Sequence, residues 1–230
     1  MNATSSNKAR LLIGKRADFT PRLEDYETLK QLISKYCPDK ANARILNLGC
    51  GNSTLPSDMY DDGYRDIENV DISKVVIEQM QRTCAAKVGL SCKCYIIDID
   101  KVMDCRNLQY ETEEFDFVVD KSTLDALLCG ERAFMNAAMM LKECQRVLKT
   151  GGVYMIVTYG KPSNRLTHLQ RGHLGFDIKQ FEISNPYKQE DAVHYIFILT
   201  KLDGANELAE LERPKVEQEL ETLELAELAL

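Results

Sequence analysis

The sequence predicts an α/β domain of doubly wound topology, with a mostly parallel sheet and an antiparallel hairpin at its C-terminal end. Three observations predict it. Short apolar runs alternate with longer stretches of helical spacing from about residue 23 to residue 160, the pattern of parallel strands joined by crossover helices. Three successive runs end on carboxylates, Asp71, Asp98 and Asp120. The last two apolar runs are joined directly through Asn185-Pro186, as a hairpin requires.

The elements follow in order. Apolar residues at 23, 26, 29, 32, 33 and 36 predict a helix from Leu23 to Tyr36. Arg44–Leu48 is the first strand of the alternating series, followed by the turn GCGNST and a helix to about Tyr60. Ile67–Asp71 is the second strand. A helix from Ser73 to about Lys87 follows it, with Ser73 a favourable N-cap. Cys92–Ile97 is the third strand, closed by Asp98, and Phe115–Val119 the fourth, closed by Asp120. A helix from about Ala133 to Leu148 stops at Lys149-Thr150-Gly151-Gly152, a basic last turn followed by glycines. Val153–Thr158, a short helix near Asn164–Gln170, and the strands Phe176–Ile183 and His194–Thr200 complete the domain.

Composition bounds the molecule. At 230 residues, 44% hydrophobic and 28% charged, the chain suits one well-buried domain. Residues 1–22 read as a poorly ordered polar lead, residues 23–202 as the domain and residues 203–230 as an acidic tail. From Ala205 to Leu230 it carries eight glutamates against Arg213 and Lys215, a net −6 of the chain's −7. Its leucines alternate with glutamates, but Pro214 interrupts the pattern, and disorder is the expected state. The rest is near neutral, which argues against a broad nucleic-acid face. No run reaches the roughly 18 apolar residues of a membrane span, and the polar N-terminus shows no secretory pattern. The eight cysteines sit mostly in apolar segments and read as reduced core residues of a soluble, cytoplasmic protein.

Doubly wound sheets bind ligands beyond the carboxyl ends of their strands, so the strand tips hold the candidate site. Gly49, Cys50, Gly51 and Asn52 follow the first tip; glycines there allow close backbone approach and a helix start offers free amides. Thr54 stands where a dinucleotide fingerprint needs its third glycine. That glycine serves a pyrophosphate, so its absence favours S-adenosylmethionine, which has no phosphate. Asp71, with Ile72 and Ser73 after it, is placed to accept hydrogen bonds from two ribose hydroxyls. Asp98 is placed to meet an adenine amino group, with Ile72 and Ile99 on either side of the ring. Asp120, Lys121 and Asp125 belong to a polar segment facing the methionine half. Cys92-x-Cys94 with Cys105 lacks zinc spacing, and no metal or nucleophile–base site is expected.

Together, ILNLGCGNSTLP, NVDISKVVIEQM, FDFVVDKSTLDALLCG and GGVYMIVTYGKPSNRLTHL closely resemble the methyltransferase-like 13 family over about Asp25 to Thr200. The family includes the lysine methyltransferases of translation elongation factor 1-alpha. The resemblance implies a seven-stranded, Rossmann-like class I methyltransferase sheet, S-adenosylmethionine as cofactor, and a protein-lysine acceptor, with elongation factor 1-alpha a possible partner and no nucleic-acid or membrane partner. It places the cofactor at Gly49, Asp71-Ile72, Asp98-Ile99 and Lys121. Asp120, Asp125 and Tyr159 are then the candidates for orienting the acceptor amine. Two departures stand out: the chain has no Trp, whereas the family closes an aromatic N-terminal segment over its cofactor, and Ser122 replaces a glycine common there. Two alternatives follow, a non-catalytic relative that binds cofactor, and a methyltransferase for a small molecule or another protein residue. A nicotinamide dehydrogenase ranks last.

Overall fold

The computed structural model of the chain describes residues 9–11, 26–87, 102–184 and 193–228. In chain order the elements are β1 (Ala9–Leu11), α1 (Tyr26–Tyr36), β2 (Arg44–Leu48), α2 (Leu55–Asp61), β3 (Asp66–Val70), α3 (Lys74–Lys87) and β4 (Phe115–Lys121). They continue with α4 (Thr123–Leu128), α5 (Ala133–Val147), β5 (Leu148–Thr158), α6 (Pro162–Leu169), a 3₁₀ turn (Gly172–Leu174), β6 (Phe176–Ser184), β7 (Val193–Lys201) and α7 (Ala205–Leu228). The sheet order is β1-β6-β7-β5-β4-β2-β3. Strands β2 to β5 are mutually parallel, and β7 runs antiparallel between β5 and β6. The fold is therefore the Rossmann-like α/β arrangement with an antiparallel hairpin.

Successive residues of each central strand point to opposite faces, and both faces are covered. Ile45, Phe117, Val119, Met155 and Ile198 pack under α1 and α2. Leu46, Leu48, Val118, Ile156 and Phe197 pack under α5, against Met140, Leu141 and Cys144. This two-sided burial explains why these strands read as nearly unbroken apolar runs. Truncating a fully buried leucine such as Leu46 (0% exposed) costs about 2–5 kcal/mol.

One expectation is left untested and several are corrected. The expected strand Cys92–Ile97, with Asp98 and Ile99 beyond it, lies outside the described residues. A short strand in the polar lead, Ala9–Leu11, pairs with β6 (Ala9 opposite Phe181). The acidic C-terminal segment is helical from Ala205 to Leu228 despite Pro214, and its Ala205 and Val216 are buried. β5 begins at Leu148 rather than Val153, with a register irregularity opposite Phe115 and Phe117. The helix α4, absent from the sequence reading, follows β4 directly.

Candidate active site

The carboxyl tips of β2, β3 and β4 converge on a cavity of about 360 Å³, within the usual range for small-ligand sites. Gly49, Asp71, Ile72 and Lys121 line it together. The parallel register makes this unavoidable: Leu48 lies opposite both Val70 and Asp120, so the next residues emerge side by side. Asp98 and Ile99 lie outside the described residues.

Each side chain is held locally. Gly49 has φ +61°, and a Cβ there would lie 2.2 Å from the Thr123 hydroxyl. Glycine thus satisfies both the backbone conformation and the close approach of α4. Asp71 accepts the Gly51 amide at 3.0 Å on Oδ2 and the Ser73 amide at 2.8 Å on Oδ1. An ionised carboxylate offers about four acceptor positions, so roughly two remain for a ligand. Ile72, 67% exposed, presents an apolar surface beside that carboxylate.

The remaining cofactor candidates are placed differently. Cys50 is buried against Ile77 and Met80, because its amide is drawn to the Val70 carbonyl at 2.9 Å. Gly51 turns its amide to Asp71, and Asn52 is exposed beyond the lining. Ser73 caps α3, its hydroxyl accepting the Val76 amide at 3.4 Å.

Asp120 is corrected from a cavity residue to a buried one. β4 runs two residues further than expected, to Lys121, so Asp120 lies within the strand and is 0% exposed. Its carboxylate accepts the amides of Thr123 (2.7 Å) and Leu124 (3.1 Å) and the Tyr154 hydroxyl (3.0 Å). It thereby anchors the start of α4. Burial pushes its pKa up to about 6, against the opposing effect of these donors.

Asp125, on α4, forms an ion pair with Arg165 of α6, Nη2 to Oδ1 at 2.7 Å. It also accepts the Thr158 hydroxyl and, at 3.0 Å, the Tyr159 amide. The Tyr159 ring, 56% exposed, stands edge-on to His194 with centroids 4.2 Å apart. Asp125 and Tyr159 therefore do come together, although Asp120 does not join them. Thr123, from the polar segment after β4, also lines the cavity, and sequence reasoning missed Met103, Cys105 and Arg106 there. The segment holding Met103 joins the site through a bridge between Asp71 and Val102, a contact without a sequence signal. A larger cavity of about 550 Å³ lies between α1 and α2. Its central Asp62 is already bound to Lys30, Lys40 and Tyr26.

A parallel sheet with a reversed last strand and a ligand-sized cavity beyond its strand tips defines the class I S-adenosylmethionine-dependent methyltransferases. The chain belongs to the methyltransferase-domain family, whose pattern matches residues 39–219. It is 33% identical over 169 residues to the human eEF1A lysine and N-terminal methyltransferase, covering 71% of this chain and 23% of that protein. It is 30% identical over 172 residues to mouse EEF1A lysine methyltransferase 4, covering 71% of this chain and 63% of the relative. The chain thus spans about a quarter of the first relative and under two thirds of the second. A solved S-adenosylmethionine-dependent methyltransferase from Methanosarcina mazei shares the fold. Its TM-score is 0.54 at 17% identity, over 74% of this chain and 97% of that one. The cofactor of the family is S-adenosylmethionine, and the cavity fits it. The glycine approach at Gly49, the spare acceptor capacity of Asp71 and the exposed face of Ile72 suit a charged amino-acid group, a ribose and an adenine.

Proposed function

We propose that this protein transfers the methyl group of S-adenosylmethionine to a lysine of another protein, of the translation elongation factor 1-alpha type, in the cytoplasm. The observation that carries this reading is the convergence of Gly49, Asp71, Ile72 and Lys121 on one cavity. The names of the human and mouse relatives support the acceptor. No helix among the described residues is long and apolar enough to cross a membrane.

When bound, the cofactor supplies a methyl group on a positively charged sulfur. The chain's own residues bind it, align the acceptor and exclude water. Asp71 would accept the ribose hydroxyls, Ile72 would cover one face of the ring, and Lys121 would border the methionine half. Alignment of nitrogen and methyl carbon in a near-attack geometry supplies the principal acceleration. A lysine acceptor must also lose its proton, which at pH 7.4 costs roughly 4 kcal/mol from a reference pKa near 10.4. Desolvation at the rim and the nearby cationic sulfur lower that cost.

Calorimetry with S-adenosylmethionine, followed by a radiolabelled methyl assay on elongation factor 1-alpha, tests the reading. Micromolar binding with label on lysine is the expected result. Tight binding without transfer to any protein rejects the protein-lysine reading and supports a cofactor-binding relative or a small-molecule acceptor.

A further inference from the structure

The Asp125 carboxylate is engaged mainly by its own neighbours in the fold. Its Oδ1 accepts Arg165 Nη2 at 2.7 Å, Arg165 Nε at 3.2 Å and the Thr158 hydroxyl, while Oδ2 accepts the Tyr159 amide at 3.0 Å. Three of these four bonds crowd onto Oδ1, while Oδ2 keeps one acceptor position; both side chains of the ion pair are about 14% exposed. Three of its four bonds go to Arg165 and Thr158, which makes Asp125 first of all an anchor for the neighbouring elements.

The same network fixes the loop beyond β5. Arg165 Nε also donates to the Thr158 hydroxyl at 3.0 Å, and that hydroxyl accepts the Gly160 amide at 3.0 Å. The guanidinium lies directly over Gly160: a Cβ there would fall 2.0 Å from Arg165 Cζ. Consecutive residues 158 to 160 are thus each held by the Asp125–Arg165 pair or by its partner hydroxyl. Arginine suits this task because its planar fork binds two acceptors in a fixed geometry.

The loop held this way adjoins the cofactor cavity. Val157 lies opposite Lys121 in the β4–β5 register and accepts the Ser122 amide at 3.0 Å. Ala126 and Leu127, next to Asp125, line the cavity itself. Tyr159 is two residues beyond Val157, its amide bound inward and its ring exposed against His194.

We propose that Arg165 is a positioning residue: acting through Asp125, it holds the Tyr159 ring as an aromatic wall of the methyl-acceptor site. The wall suits an alkylammonium side chain, which an aromatic face attracts. This inference rests on the methyltransferase reading for its substrate, but its structural half is testable without turnover.

The chain has no Trp, so Tyr159→Trp installs a single reporter indole at the rim. Adding Arg165→Ala to that background is expected to raise acrylamide quenching of the indole at least twofold. In the native background, Arg165→Ala should raise KM for elongation factor 1-alpha about tenfold. Affinity for S-adenosylmethionine should stay within twofold, with Arg165→Lys intermediate. Should Arg165→Ala fail to fold, Asp125→Asn, near-identical in shape, takes its place in both measurements. Unchanged quenching overturns the clamp. Increased quenching with unchanged KM overturns the acceptor-site role. A wild-type protein that binds no cofactor sinks the methyltransferase reading, while the quenching result still decides the clamp.

Discussion

Thr123 stands directly over Gly49: its hydroxyl donates to the Leu48 carbonyl at 2.8 Å and leaves no room for a Cβ on residue 49. Two independent penalties follow for Gly49→Ala. The positive φ of +61° costs a non-glycine residue about 1–2 kcal/mol, and the clash forces α4 away from β2. A total loss of about 3 kcal/mol is expected by urea denaturation, with weaker cofactor binding because residue 49 lines the cavity. Adding Thr123→Ala should recover the steric part and leave the backbone part. A strictly additive double mutant would refute the contact as the cause.

Ser122 offers the opposite opportunity. It is a non-glycine residue at φ 70° and ψ 7°, immediately before α4, at the position where the sequence resemblance led one to expect glycine. Ser122→Gly relieves the left-handed strain but adds chain entropy to the unfolded state. The net gain should be about 0.5–1 kcal/mol, a rise in Tm of roughly 1–4 °C for a chain of this size. The Ser122 amide bond to Val157 survives the change. A fall in Tm would show that the serine side chain contributes more than its backbone costs.

The central strands were legible in the sequence because burial on both faces left Leu46, Val118 and Ile156 in unbroken apolar runs. Asp71 was legible for a related reason, as a carboxylate at the end of such a run. Asp120 misled because a strand boundary read two residues early turns a buried side chain into an apparent tip residue. The six-residue α4 has too few turns for periodicity, and its anchor, Asp120, lies in the preceding strand. Pro214 read as a helix breaker, yet α7 spans it, with Ala205 and Val216 buried on either side. The Arg165–Asp125 pair joins residues 40 positions apart, and neither residue type nor spacing announces it.

Asp120 makes a pH-dependent contribution of calculable sign. Its carboxyl titrates near 6 in the fold because burial disfavours the charge, against about 3.9 when unfolded. Between those values the native state binds more protons than the unfolded chain, so this group's stabilisation is full below pH 4. It is lost as pH rises through 6. Asp120→Asn removes the effect. Relative to wild type, the variant should gain on the order of 2–3 kcal/mol between pH 4 and pH 7, read from paired denaturation curves. Taking the difference cancels the other carboxylates, among them Asp104, which Arg106 holds below its usual range. A pH-independent difference would mean that Asp120 titrates alike in the folded and unfolded chain.

Asp71 separates a structural carboxylate from a ligand-binding one. Its two amide bonds, from Gly51 and Ser73, account for a helix-capping role that any reading must grant. If that were its whole function, Asp71→Asn would cost about 1 kcal/mol of stability and leave cofactor affinity nearly intact. If the spare acceptor positions take ribose hydroxyls, each charge-assisted bond contributes about 1.5–3 kcal/mol. Asp71→Asn should then lower affinity for S-adenosylmethionine and S-adenosylhomocysteine alike, by roughly tenfold or more, because both carry the same ribose. Asp71→Ala should lower it further. Calorimetry at a temperature where each variant remains folded distinguishes the two roles, and equal affinities for wild type and Asp71→Asn would remove Asp71 from the cofactor site.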